Sequence, residues 1–518
     1  MTITRKTGTR TRVRSFAALT YSVAFVVVGA AFSVMTLAAP PRDGQALAGE
    51  KGDNWLATAR AYADVLIERG RDSYGTQHSP LFASALDRKT LNLLPPGGPY
   101  PDFIGMPPRL PGLRNGDRSI YGANPMHDMQ LYELLYALSL VTGEKRYAEE
   151  ADKAIEWFFN HCQSPETGLM AWGEHEGWDF RLETLGFTRG DNHEFYERWE
   201  LWDRSFALAP EACRKFALGL WDHQINDHSG DFSRHAEWAK HRTDTAAAFP
   251  RHGGYFISTW HHAYASTKDP VFLKAIETVV GHFEKNSKKE SGLIPCCTDP
   301  DKIPAVWLFS NLSLAIDLWD AAAVVPEPLS NKLRGLALNI DNVFLGFSHD
   351  LSPQGKGFMT NVDFFTRERK PNDSTDPWAI AYGKPNDAPL ALICFARYLQ
   401  NKNPSFRDIV LKCADRYLDS EPNLEITLYP NAVADAIQLM MASNELTGKK
   451  KYLDRAEYLA KRAKKIFLDD SSHLPKVSSQ HDHYETLTGG DDLMLAYLEL
   501  WVRENRPELK LSLSQRGR

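Results

Sequence analysis

Arg251-His252-Gly253-Gly254-Tyr255 carries the sharpest chemistry in this chain of 518 residues. An arginine fork can hold a carboxylate through two parallel hydrogen bonds. A histidine and a tyrosine beside it can move protons. Two glycines allow a sharp turn or a close approach of backbone to ligand. Related groups recur along the sequence: Asn124, His127 and Asp128; Asp191, Asn192, His193 and Tyr196; Asn386 and Asp387; Asn431; and His481, His483, Tyr484 and Glu485. Helix capping alone accounts for Asn431 and Asp387. Histidine, arginine and tyrosine are poor caps, so the other groups point to one shared concave site. Trp172 and Trp178, in the loop AWGEHEGWDF, are expected as stacking platforms for sugar rings.

The elements that must position these groups are helices in pairs. Leu131, Leu134, Leu135, Leu138 and Val141 repeat at helical spacing after Pro125, which is expected to open the helix. Gly143 ends it, and a second helix follows with Tyr147, Ala151, Ile155, Trp157 and Phe158. The junction returns: Thr142 with Tyr147, Thr267 with Phe272, Thr447 with Tyr452, and more loosely Asn401 with Phe406. Such self-similarity marks stacked units that bury apolar faces against their neighbours. First helices are expected near 125–141, 196–209, 252–266, 304–321, 387–400, 430–446 and 488–503. Second helices are expected near 145–161, 211–225, 270–285, 328–344, 405–419 and 451–467, with 54–69 as the remaining partner. The fold class is therefore all-α, an (α/α) toroid of about seven helix pairs with long loops lining one face. An open solenoid is the runner-up; it normally lacks polar insertions like those at 163–195, 226–251 and 346–386. Each polar group above falls just before a first helix. The stretch Gly70–Ser119, rich in Pro and Gly and holding Tyr100, Phe103, Arg109, Arg114 and Arg118, is expected as an ordered loop across the mouth.

Bulk properties narrow the function. A composition 43% hydrophobic and 24% charged is that of a globular chain. Net charge is -6, yet residues 1–48 hold six basic residues against one acidic, so the rest is more acidic still. That balance argues against nucleic-acid binding. It leaves room for an anionic substrate in one basic cleft. The basic stretch to Arg14, the apolar run Phe16 to Ala39 and the small residues Ala46-Leu47-Ala48 are expected to be a signal peptide or signal-anchor over 1–48. Residues 49–518 then form a single catalytic domain, exported and with a possible membrane tether through 16–39. The six cysteines lack CxxC spacing and are expected as buried thiols with at most one bridge. No metal site and no cofactor are expected. Phosphate loops, GxSxG elbows and HExxH motifs are missing from the sequence.

On the helix-pair repeat, the export signal and the Asn-His and Arg-His-x-x-Tyr groups, the chain resembles the (α/α)-toroid carbohydrate-active enzymes. Among these it is most similar to polysaccharide lyases acting on uronate polymers such as alginate, glucuronan or pectate. The resemblance implies β-elimination. Tyr255 would be the acid, or acid and base both, and His193 the base or a neutraliser. Asn192, Arg251 and His252 would hold the carboxylate. His127, Asp128, Trp172, Trp178, Asn386, His481, His483 and Tyr484 would bind an anionic polysaccharide or oligosaccharide. No GGWPQ-type signature of the smaller pectate lyases is present, which ranks alginate and glucuronan ahead of pectate. A glycoside hydrolase on the same fold would need two facing carboxylates, drawn from Asp128, Asp387, Glu485, Asp491 and Asp492; a sugar epimerase would use a histidine pair. A membrane-tethered carbohydrate-binding protein without activity is the non-enzymatic alternative.

Overall fold

A computed structural model describes residues 54–94, 110–174, 176–187, 192–238, 248–297, 299–378, 386–509 and 511. The expected signal or anchor segment lies outside the described residues, as do Asp191, Arg109, Tyr100 and Phe103. Among the described residues, no helix is long and apolar enough to cross a membrane.

The helices come in pairs. Trp55–Arg69 (α1) stands first, then Met129–Thr142 (α2) with Arg146–His161 (α3), and Trp202–Leu208 (α4) with Pro210–Gly219 (α5). Pro250–Thr267 (α6) pairs with Pro270–Asn286 (α7), and Leu308–Ala322 (α8) with Leu329–Leu345 (α9). Asp387–Asn401 (α10) pairs with Pro404–Tyr417 (α11), and Pro430–Thr447 (α12) with Lys450–Phe467 (α13). Gly490–Asn505 (α14) comes last and takes α1 as its partner. The even-numbered helices from α6 to α14 pack in series, and α14 packs on α2 as well as α12, so the last pair meets the first. This is an (α/α) toroid. Its inner helices read as buried on nearly every side; α8 buries all but two of its residues. The outer α3 and α13 keep a single buried stripe, as helices half in water must.

The repeated Thr has a physical role. Thr142, Thr267 and Thr447 each donate Oγ1 at 2.7 Å to the carbonyl four residues back, closing the last turn of an inner helix. The same oxygens accept the backbone N–H two residues on, at 3.1–3.2 Å. Asn401 does the second half of this through Oδ1, which accepts Asn403 N–H at 2.9 Å. The residue between takes a left-handed conformation in all four: Gly143, Lys268, Lys402 and Gly448, at φ of 78°, 59°, 58° and 66°. The aromatic five residues after each Thr or Asn, Tyr147, Phe272, Phe406 or Tyr452, is buried and locks the turn onto the core.

Helices α2, α4 and α8 start at least four residues later than their apolar period suggests, α8 because Ala305–Trp307 is extended. Pro125 does not open α2: Asn124 Oδ1 accepts Met126 N–H at 3.2 Å, and its carbonyl accepts from His127 and Asp128, so turns precede the helix. The helix expected from 196 begins at Trp202, because Arg198 is drawn to Asp317 and Asp320 of α8, each at 3.0 Å. Short strands occupy the loops that lead into inner helices. Ala85–Leu86 (β1) pairs with Tyr484–Glu485 (β9), and Gly122–Ala123 (β2), Glu176–Asp179 (β3) and Thr184–Phe187 (β4) form one sheet. Asn192–Glu194 (β5) pairs with His235–Glu237 (β6), and Ala305–Trp307 (β7) with Asn361–Asp363 (β8), all antiparallel. All six cysteines are buried free thiols.

Candidate active site

Strand β5 decides which residues meet. Successive side chains of a strand point to opposite faces. Glu194 points into a cluster: Arg234, just before β6, His235 Nε2 (2.8 Å) from β6, and His252 Nε2 (3.3 Å) from the first turn of α6. His193 points the other way. It is fully buried, with its ring edge on Phe216 and Gln224 nearby. The sequence singled out His193 and passed over its neighbour. Asn192 lies on β5 opposite Glu237.

The electrostatics follow from burial. Burial opposes ionisation of Glu194, but hydrogen bonds from His235 and His252 and the Arg234 charge outweigh it, holding the carboxyl far below its usual range. Burial lowers His252 to about 4, only partly offset by its bond to Glu194. It lowers His127 to about 4 and His193 to about 3. These imidazoles are therefore neutral at pH 7. His252 Nδ1 is buried with no hydrogen-bond partner among the described residues.

Arg251 precedes His252 at the amino end of α6. It is half-buried, its backbone N–H donates to Ser310 Oγ at 3.0 Å, and no ion pair to it is present among the described residues. Its Nε is buried without a partner among the described residues. The two glycines that follow serve packing rather than ligand approach. A Cβ on Gly253 would strike Phe283 at 2.4 Å, and one on Gly254 would strike Asp317 at 2.5 Å. Tyr255 has no exposed surface and sits between Phe195 (6.0 Å) and His252 (5.7 Å). Tyr196 is half-buried, edge-on to His127 at 5.9 Å. Burial, then the nearby Glu197, Asp117 and Glu194, raise its phenol well above the ordinary value, so it keeps its proton.

A second group adjoins through His127, whose ring feels Glu485. Arg118 grips Glu485 with two nitrogens, Nε at 2.9 Å, and His483 Nε2 lies 2.7 Å from the same carboxylate. Contacts of Arg118 with Glu485, and of Arg88 with Asp482 and the Leu474 carbonyl, tie these two arginines of the 70–119 stretch to 469–485; the middle of the expected loop lies outside the described residues. His481 bonds Ser478 at 2.9 Å, and Tyr484 is buried with its hydroxyl 2.8 Å from that of Tyr62. Burial resists ionisation of Glu485, yet Arg118 and His483 bring it down to about 2 from 4.5. A depressed carboxylate stabilises the fold above its unfolded value and loses that contribution as pH falls through its folded value. Glu485→Gln is therefore expected to cost about 3 kcal/mol at pH 7. In urea titrations the gap to wild type should close between pH about 4.5 and about 2; a gap independent of pH would contradict the assignment.

Several expected ligands are buried among other side chains. Trp172 lies in an aromatic core with Phe158, Phe195 and Trp199, and Trp178 is buried edge-on to Trp157. Asp387 is fully buried and holds Arg416 (2.6 Å) and Thr375, anchoring the 346–386 insertion. Asn386 is buried before α10, its Oδ1 without a partner among the described residues. Asp128 is 1% exposed, and burial beside Asp491 raises its carboxyl, which suits a shared proton rather than two charges. Asn124 Nδ2 donates to Gly173 O at 2.6 Å, fixing the loop that carries Glu174.

The loop position of Glu174 matters because ligand atoms of Glu174, Glu194 and His235 all lie within 4.8 Å of one another. Two carboxylates and an imidazole, with His252 alongside, are a mixed O/N donor set that suits a divalent transition metal better than calcium. Glu174, Glu194 and His235 carried no spacing signal, since they come from three separate segments.

A family model described as periplasmic pectate lyase matches residues 114–253, which carry β2 to β6 and include the Arg251-His252 pair. The pectate disaccharide-lyase of Dickeya dadantii (strain 3937) is 23% identical over 213 residues, 40% of this chain and 36% of that protein. The match thus spans about a third of that relative's length. Among solved structures, the cellobiose 2-epimerase from Bacillus thermoamylovorans B4167 covers 86% of this chain and 99% of its own, with 9% identity and a TM-score of 0.47. An unsaturated glucuronyl hydrolase specific for heparin covers 87% of this chain and 98% of its own, with 12% identity and a TM-score of 0.44.

Proposed function

We propose that this chain cleaves a uronate-containing polysaccharide by β-elimination at the Glu194–Arg251–His252 cluster. The observation that carries the reading is Arg251: a half-buried residue without an ion pair among the described residues, at the amino end of an 18-residue helix, beside neutral imidazoles. A helix amino end and an unpaired arginine both favour an anion. The matching region is named for pectate lyases, so polygalacturonate takes first place over alginate and glucuronan.

In this proposal Arg251 pairs with the substrate carboxylate and so acidifies the proton on C5. His252, steadied by Glu194 through Nε2, accepts that proton at Nδ1. The electrons form the C4–C5 double bond as the C4–O4 bond breaks, and O4 takes the Tyr196 phenolic proton. A divalent cation held by Glu174, Glu194 and His235 would add positive charge for the carboxylate. Tyr255, the acid expected from the sequence, lies behind His252 and supports its ring.

Purified protein incubated with polygalacturonate, alginate and glucuronan should produce the ultraviolet absorbance of a C4–C5 unsaturated uronate. Folded protein that yields reducing ends without that absorbance would replace elimination by hydrolysis. The two tyrosines separate on substitution. Tyr196→Phe should lower kcat about 10²-fold, at the low end for a general acid. Tyr255→Phe should stay within about tenfold in kcat and lose ~0.5–1.5 kcal/mol of stability, the worth of one buried hydrogen bond. The reverse ranking in kcat would return the acid to Tyr255.

A further inference from the structure

The aromatic ring that faces outward beside this cluster is one the sequence did not mark. Trp307 ends β7 and is 38% exposed, against full burial for Trp172. One face of its indole stacks on Phe249 at 4.8 Å, with 20° between the planes. Phe249 in turn lies 5.8 Å from the His252 ring, and the Arg234 guanidinium is 5.3 Å from its centroid. The stack is thus continuous with the cluster around Glu194. Its mounting is firm: Leu308 N–H donates to Thr360 O at 2.9 Å, and Asn311 Nδ2 donates to Trp307 O at 3.2 Å. The hydrogen bond from Arg251 N–H to Ser310 Oγ joins the starts of α6 and α8, and Trp307 directly precedes α8.

The neighbour across the ladder is polar. Trp307 stands opposite Asn361 in the β7–β8 register, and residues directly opposite share one face of a sheet. Asn361 Oδ1 is buried with no hydrogen-bond partner among the described residues. A buried amide oxygen left unpaired is costly, and here it lies beside a ring with an open face. An apolar face flanked by a hydrogen-bond acceptor matches a pyranose, which has a C–H face and hydroxyls around its rim.

We propose that Trp307 and Asn361 form a sugar-binding subsite for a second residue of the polysaccharide, next to the one whose carboxylate meets Arg251. This rests on the elimination reading for its substrate class. The pyranose stacks on the free indole face and donates a hydroxyl to Asn361 Oδ1. The enzyme consequently prefers chains long enough to cover both places.

Full-length wild type, Trp307→Ala, Trp307→Phe and Asn361→Ala are compared on polygalacturonate. Trp307→Ala should raise KM about tenfold with kcat within about twofold, Trp307→Phe should stay within about threefold of wild type, and Asn361→Ala should raise KM about threefold. An unchanged KM in Trp307→Ala overturns the subsite. Were that variant not to fold, Asn361→Ala decides: a raised KM supports the subsite and an unchanged one overturns it. Binding is read separately by retardation in native gels containing polygalacturonate, alginate or glucuronan. Wild type retarded and Trp307→Ala released, with no elimination product from either, would sink the reaction while upholding the subsite. Wild type and Trp307→Ala migrating alike in every gel overturns the subsite whatever the reaction.

Discussion

Arg251→Ala is expected to lower kcat/KM on polygalacturonate by about 10³-fold, the upper end for removing one preorganised electrostatic group from an active site. Elimination needs the carboxylate neutralised before the neighbouring C–H becomes acidic enough to lose its proton. Both KM and kcat should therefore move: KM because the ground-state carboxylate loses its partner, kcat because the enolate-like charge of the transition state does. Arg251→Lys keeps the charge but not the planar fork, so it should recover part of the loss and no more. The melting temperature should stay near wild type, since the guanidinium takes part in no ion pair among the described residues and is half-exposed. Arg251→Ala within about fivefold of wild type would remove the carboxylate clamp from the mechanism.

The ring of helices was legible because its period is local. Thr, a left-handed residue and an aromatic five residues on form one turn, and the same turn appears at Thr142, Thr267, Asn401 and Thr447. The candidate site was half legible. Arg251, His252 and Tyr196 stood out by residue type. Glu194 did not, because sequence reading favours the histidine beside it, and only the β5–β6 pairing tells which of two adjacent residues faces the cluster. Glu174 and His235 come from loops with no period at all. Burial misled the choice of aromatics: Trp172 and Trp178 lie in a loop by sequence yet are covered by α3 residues Phe158 and Trp157, whereas Trp307 sits beside a helix and is exposed. A loop address in sequence says little about what packs on top of it.

Glu194→Gln tests the centre of the cluster and is expected to cost about 10³-fold in kcat. The substitution keeps the shape and removes the charge that answers Arg234, His235 and His252. Without it, the amide nitrogen offers a donor where the imidazoles also offer donors, so His252 loses the bond that fixes its tautomer and orientation. Stability should also fall, by about 2–3 kcal/mol, less than for a fully dry pair because Arg234 and His235 remain about a quarter exposed. Chelation then says how the carboxylate acts. If Glu194 with Glu174 and His235 holds a working cation, treating wild type with a chelator should reproduce most of the kinetic loss, and adding divalent metal back should restore the rate. If Glu194 acts by steadying His252, wild type should keep its rate in chelator while Glu194→Gln alone fails. Full turnover in Glu194→Gln would contradict both, and would place the chemistry away from β5.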